Sequence, residues 1–140
     1  MIRIDVHPWE RAREEASRIR LEVFVREQGV PPEIEMDARD ADCLHALAYL
    51  DGAAVGTGRL LPDGHIGRMA VLRESRAHGV GGGILERLVD EARRRGMRSV
   101  VLAAQTHAIA FYRKHGFSVV GEVFEEAGIP HQEMRRVLSS

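Results

Sequence analysis

Ile2, Ile4 and Val6 alternate with polar neighbours, the period-two pattern of a short strand with one buried face. The period then changes. Trp9, Ala12, Ala16, Ile19 and Val23 recur at spacings of three and four, which predicts an amphipathic helix that stops near Gln28–Gly29. Gly29 suits a left-handed C-cap, and Pro31–Pro32 cannot continue a helix. The acidic stretch from Glu33 to Asp42 follows neither period and reads as a long loop, of the kind that often carries function. Leu44–Leu50, Ala53–Leu61 and His65–Leu72 read as three strands in series. Asp51–Gly52 and Asp63–Gly64 lie between them as hairpin signals, since glycine accepts the positive φ of a tight primed turn.

A glycine-rich turn then leads into a helix from Gly82 to Arg95, with Ile84, Leu85, Leu88, Val89 and Ala92 as its apolar face. Ser99–Ala104 is a buried-type strand, and His107–His115 is a short helix stopped by Gly116. Phe117–Val123 and Gln132–Leu138 form a closing hairpin. This order predicts an α+β layered fold, with helices covering a mostly antiparallel sheet.

Composition narrows the class. The 140 residues fit one domain spanning positions 1–140. A hydrophobic content of 44% against 29% charged residues is enough to bury a core. A formal net charge of -1 gives no basic footprint, so no nucleic-acid partner is expected. No apolar run approaches membrane-spanning length and the N-terminus lacks a signal core, so a soluble cytoplasmic protein without a membrane partner is expected. Cys43 is the lone cysteine; no base neighbours it in sequence, and it reads as a small buried hydrophobe. The histidines show no metal-ligand spacing, and no metal is expected.

The turn Arg76-Ala77-His78-Gly79-Val80-Gly81-Gly82-Gly83 lies between a strand and a helix. Its amides would face outward at the positive end of the helix, an anion site suited to a pyrophosphate. A merely flexible loop is the alternative. A P-loop is excluded because Gly83 is followed by Ile84, and a Rossmann unit because three strands already precede the turn.

Arg76-x-x-Gly79-x-Gly81 resembles the Arg/Gln-x-x-Gly-x-Gly/Ala signature of the GNAT acetyltransferases, at the strand-to-helix position where they carry it. Ala108-x-x-x-Tyr112-x-x-x-Gly116-Phe117 is similar to a second segment of that family, with Gln105 where the family often has Asn. Arg20-x-x-Val23-Phe24-x-x-Glu27-Gln28-Gly29-Val30-Pro31, followed by Asp37, Asp40 and His45, resembles its ElaA-like bacterial subgroup. Gly128-Ile129-Pro130-His131-x-x-Met134 resembles the terminal hairpin of small bacterial enzymes that acetylate glyphosate.

The resemblance implies a sheet splayed between its fourth and fifth strands, with helices on both faces. It implies an N-acetyltransferase that moves the acetyl group of acetyl-CoA directly to the amine of a small-molecule acceptor. The pantetheine arm would lie in the splay against Met69 and Val71. The Met69–Ala70 backbone would meet the thioester oxygen, and the amides of Arg76, Ala77, His78, Gly79, Val80, Gly81 and Gly82 would hold the pyrophosphate. Gln105 would stand beside the arm. A homodimer is a further possibility.

Acetyl transfer needs a neutral amine, donors for the oxyanion and a stabilised leaving thiolate. Tyr112 resembles the family's tyrosine near the CoA sulfur, a general-acid candidate; packing on the sheet is its other reading. His131 resembles the base of the glyphosate-acetylating enzymes, and imidazole titrates near neutrality; a hydrogen-bonded hairpin histidine is its other reading. Arg68 and Arg20 are candidates for an acceptor's anionic group, Arg68 ahead of Arg20. Glu27, Asp37 and Asp40 either shape the acceptor pocket and relay protons or form a solvated acidic loop. An acyl-homoserine-lactone-synthase-like enzyme, loosely echoed by Arg20, Phe24, Glu35, Asp37 and Asp40, and a non-catalytic acetyl-CoA-binding module are the competing functions.

Overall fold

The computed structural model describes residues 2–35 and 37–138, and the side chains of all of these but Ile34 and Glu35. The Glu35 side chain and Met36, within the stretch read as a loop, thus lie outside the described residues. The chain runs β1 (Ile2–Pro8), α1 (Trp9–Arg20), a π-helix (Leu21–Glu27), α2 (Pro32–Glu35), a 3-10 turn (Ala38–Asp42), β2 (Leu44–Leu50), β3 (Ala53–Leu60) and β4 (Ile66–Val71). After a 3-10 turn (Arg73–Ser75) come α3 (Val80–Arg94), β5 (Ser99–Gln105), a 3-10 turn (Thr106–Ala108), α4 (Ile109–Lys114), β6 (Ser118–Glu126) and β7 (Ile129–Val137). No helix among the described residues is long and apolar enough to cross a membrane.

The strands form two antiparallel groups, β1-β2-β3-β4 and β5-β7-β6. They meet where β4 and β5 begin: His65 bridges Val101 in parallel, and Val101 donates its N–H to Gly64 O at 3.1 Å. Beyond this pin no ladder joins β4 to β5 among the described residues, so the sheet is splayed between its fourth and fifth strands, as expected.

Helices cover both faces because the strands alternate. Leu47, Tyr49, Ala54 and Ala70 face Ala12, Ala16, Ile19 and Val23 on the α1 side. Ala46, Ala48, Leu60, Val100, Leu102 and Ala104 face Ile84, Leu85, Leu88, Val89 and Ala92 of α3. Small residues let α3 lie close. A Cβ on Gly56 would come within 2.9 Å of Ile84 and Val80, and one on Gly58 within 2.9 Å of Ile84.

Several expectations are corrected. The first helix is α-helical only to Arg20; a π-helix, with no glycine or proline to flag it, continues the apolar stripe to Val23. The stretch read as a loop contains α2 and a 3-10 turn, which Asp37 caps by accepting the Arg39 N–H at 3.1 Å. Asp51–Gly52 forms the expected turn, with both φ values positive. At Asp63–Gly64 only Gly64 is left-handed, and the Asp63 carboxylate instead accepts the His65 N–H. The last hairpin turns at Ala127–Gly128, so its strands are longer than the sequence suggested; alanine replaces the Asn or Asp that signals such a turn.

Gly64 holds the pin. Its φ is +95°, and a Cβ there would lie 2.9 Å from Ser99 O. Gly64→Ala is therefore expected to destabilise the fold by about 2–4 kcal/mol, combining the left-handed penalty with a backbone clash. Urea unfolding checks this; a midpoint unchanged from the parent would show that the pin yields freely.

Candidate active site

The cleft between β4 and β5 opens away from the pin. Leu72 donates its N–H to Val55 O at 2.9 Å, and Ala70 O lies against Gly56, so Ala70 and Leu72 address β3. By alternation Val71 and Met69 turn their backbone groups toward the gap. Of the expected Met69–Ala70 backbone pair, Met69 thus faces the gap while Ala70 addresses β3. The Val71 carbonyl already accepts Arg76 Nε at 3.0 Å. A bulge distorts β4 just before this point: Thr57 pairs with Ala70 but Arg59 with Gly67, and Arg68 takes a left-handed φ of 49°. A large side chain in that conformation is strained, a feature common at functional sites.

The glycine-rich turn stands at the open end. Arg76 spends its amide on Arg73 O at 3.3 Å, which removes it from the expected anion-binding set. Ala77 and Gly79 have positive φ, and Gly79 caps α3. At the start of α3 the amides of Val80, Gly81 and Gly82 have no acceptor within the helix, and the next, Gly83, bonds Gly79 O at 3.0 Å. Successive free N–H groups at the start of a fifteen-residue helix fit a diphosphate. Val80 is buried against the sheet, His78 is exposed, and Gly82 lies against the His115 ring. A Cβ on Gly81 would sit 3.7 Å from Phe111 and 3.9 Å from Val71, between α4 and the end of β4.

On the α1 side a chain of ionic contacts runs inward from the bulge. Arg68 Nη2 reaches Asp37 at 3.3 Å. Asp37 takes both terminal nitrogens of Arg59, at 2.9 and 3.0 Å. Arg59 also reaches Asp40 at 2.9 Å, and Asp40 takes both terminal nitrogens of Arg20, at 2.9 and 3.0 Å. Hydrogen bonding to Arg59 holds the Asp37 carboxyl at about 2 despite partial desolvation. At Asp40 burial pushes the carboxyl up, but Arg20 and Arg59 outweigh it and the net shift is downward.

Arg20 is 1% exposed and fastened to Asp40, so the expectation that it binds an acceptor is corrected: it anchors the 3-10 turn to α1. The acidic stretch is likewise no solvated loop at Asp37 and Asp40. His45 Nε2 lies 2.9 Å from Asp40 O, and burial keeps its pKa low. Sequence reasoning missed Arg59; its signal was a charged residue between Gly58 and Leu60 in an otherwise uncharged strand.

His131 is 7% exposed and stacks on Phe124 with ring centroids 6.0 Å apart. Its Nδ1 lies 2.7 Å from Ile129 O. A carbonyl only accepts, so Nδ1 carries a proton, and in the neutral ring the lone pair is on Nε2. In register it stands opposite Gln105, and cross-strand partners share a face, here the α1 side. Gln105 donates to Gln28 Oε1 at 3.0 Å. Tyr112 packs edge-on against Phe111 and Phe117, and burial raises its hydroxyl to about 12. Glu27 pairs with both terminal nitrogens of Arg76 at 2.7 Å, and this bonding lowers its pKa. Cys43 is buried, donates to Arg39 O at 3.1 Å, and desolvation raises its thiol.

A sheet pinned at one end and parted at the other, with free amides at its mouth, is the fold of acyl-CoA N-acyltransferases. A structure of that description from Pseudomonas aeruginosa superposes with a TM-score of 0.86 at 33% identity, covering 97% of this chain and 99% of the other. The chain belongs to the GNAT acetyltransferase family: the Acetyltransferase (GNAT) domain matches residues 11–138. It is 41% identical to an uncharacterised N-acetyltransferase, YjcF of Bacillus subtilis, over 87% of this chain and 90% of that one. The crystal structure of Escherichia coli ElaA matches with a TM-score of 0.85 at 30% identity, covering 97% and 99% of the two chains. The protein is thus an acyltransferase.

Proposed function

We propose that this enzyme transfers an acetyl group from acetyl-CoA directly to the amine of a small-molecule acceptor. The observation that carries the reading is the parted β4 edge ending in a glycine-rich turn that leads into the free first amides of α3, Val80 to Gly82. An extended pantetheine arm adds to such an edge as a strand would. Met69 and Val71 offer N–H groups to the arm and to the oxyanion, and the amide turn takes the diphosphate.

His131 Nε2 is the base that takes the amine proton. The alternatives, water relayed through Glu27 or Asp37, are weaker, because both carboxylates are engaged by arginines and have lowered pKa values. Tyr112, at about 12, stays protonated at neutral pH. Transfer of its proton to a thiolate, whose conjugate acid has a pKa of about 8.5, is uphill, so its part is a hydrogen bond to the departing sulfur. Arg68, at the bulge, sits where an anionic group on the acceptor would meet a guanidinium fork. Cys43, buried and kept as a thiol, does not carry the acetyl group.

Gly81 tests the donor site. Valine there would fill the space between Val71 and Phe111 at the cleft mouth, while glycine's low helix propensity means the helix itself gains. Gly81→Val is expected to weaken acetyl-CoA binding at least tenfold, about 1.4 kcal/mol by calorimetry, in a folded protein. Undiminished affinity would remove the turn from the site. A screen of amines read by CoA release identifies the acceptor class, and acetyl-CoA binding without turnover on any amine would favour a binding module instead.

A further inference from the structure

Two consecutive residues at the end of the π-helix grip opposite walls of the cleft. Glu27 holds Arg76, on the turn after β4, through two bonds of 2.7 Å. Arg76 is in turn fastened to β4 itself through Val71 O. Gln28 accepts a bond of 3.0 Å from Gln105, the last residue of β5. The Gln105 carbonyl is itself fixed by His107 Nε2 at 2.7 Å. The gripped residues lie 49 and 77 positions away in sequence, one on the turn after β4 and one at the end of β5, strands joined only at the distant pin of His65 and Val101 among the described residues.

Neighbouring Cα atoms are about 3.8 Å apart, so the two grips cannot move independently. We propose that Glu27 and Gln28 are positioning residues, a brace across the mouth that sets the gap between β4 and β5 and transmits donor occupancy to the π-helix on the α1 side. This rests on the acetyl-CoA site proposed above.

Three features support transmission rather than simple stapling. An arm added along β4 lies between the two gripped walls. A diphosphate on the amides after Arg76 brings negative charge beside the Glu27–Arg76 pair and competes for the guanidinium. The element that would move is a seven-residue π-helix, a form with wide i→i+5 turns that is rare and frequently sits at functional sites. His131 and Gln105 share the face onto which that helix looks, so a shift of residues 21–28 changes the wall the acceptor meets.

Hydrogen exchange of the intact protein, with and without saturating acetyl-CoA, tests the brace. In the parent, acetyl-CoA is expected to change the exchange of amides 23–30 by at least about threefold. Gln28→Ala should abolish most of that change while acetyl-CoA affinity stays within about threefold, since the variant spares the amide turn. Gln105→Ala should abolish it equally, and the double variant should be no worse than either single one. Gln28→Glu still offers an oxygen to Gln105 and should keep the response. If the parent binds acetyl-CoA with unaltered exchange at 23–30, or Gln28→Ala responds fully, the brace is overturned alone. If the parent binds no acetyl-CoA, the brace falls together with the proposed function.

Discussion

Asp40→Ala is expected to cost about 3–5 kcal/mol of folding stability, seen as a large fall in the urea midpoint. Asp40 is 2% exposed and neutralises two arginines that are themselves buried, Arg20 at 1% and Arg59 at 5%. Removing its carboxylate breaks both bonds to Arg20 and the bond to Arg59. Removing one member of a buried ion-pair network is among the costliest single defects, and the loss would take a large share of a typical total of about 5–15 kcal/mol. Asp40→Asn keeps an acceptor oxygen and should cost less, yet still clearly destabilise.

The same pairs set an acid limit. The Asp37 carboxyl is lowered from 3.8 to about 2, and that of Asp40 is lowered as well. A carboxylate lowered by folding contributes its full stabilisation above its unfolded pKa and loses it as pH falls toward the folded one. Stability should therefore be level above about pH 5 and decline as the pH drops toward 2. An unfolding free energy for Asp40→Ala within about 1 kcal/mol of the parent would overturn this role for Asp40.

Much of this architecture could be read from local pattern. The α3 face was legible because Ile84, Leu85, Leu88, Val89 and Ala92 repeat with helical period and all reach full burial. The Asp51–Gly52 turn was legible because its chemistry is local. The π-helix was not, since its apolar stripe continues that of α1 and the extra residue per turn leaves no trace in Leu21–Glu27. Nor was the bulge at Arg68, where tertiary pairing rather than glycine imposes a left-handed backbone. The motif from Arg76 to Gly82 marked the cleft mouth, but which amides are free depends on a turn that spends that of Arg76. The charge chain was half visible: Arg20, Asp37 and Asp40 drew notice, whereas Arg59, the residue that joins them, sits in another strand.

His131→Ala is expected to lower kcat by about 10²–10⁴ with little change in acetyl-CoA affinity. An aliphatic amine, with a pKa of about 10.4, arrives mostly as ammonium and must lose a proton before it can attack. The bond from Nδ1 to Ile129 O fixes the tautomer that leaves Nε2 basic, so the ring needs no rearrangement to accept that proton. The Phe124 stack holds its plane. The acidic limb of the kcat/KM–pH profile should vanish or move in the variant. His131→Gln, which can keep a hydrogen bond to the carbonyl but cannot titrate, should be equally impaired, separating proton transfer from packing. Retention of both the rate and the acidic limb would send the search for a base elsewhere.

The outer border of β6 bears on how copies of this chain coexist at high concentration. β6 is the last strand of its group, every residue from Ser118 to Glu126 is exposed, and Val123 and Phe124 are among its uncovered apolar side chains. A long open border of that kind invites edge-to-edge stacking into aggregates. Here Glu122, Glu125 and Glu126 interrupt the row with like charge. The bulge between Val120 and Phe124, with Gly121 at a φ of 74°, breaks the flat template a second strand would need. Solubility of this face is thus written into three carboxylates and one irregular step, which guard a strand whose own burial contributes little.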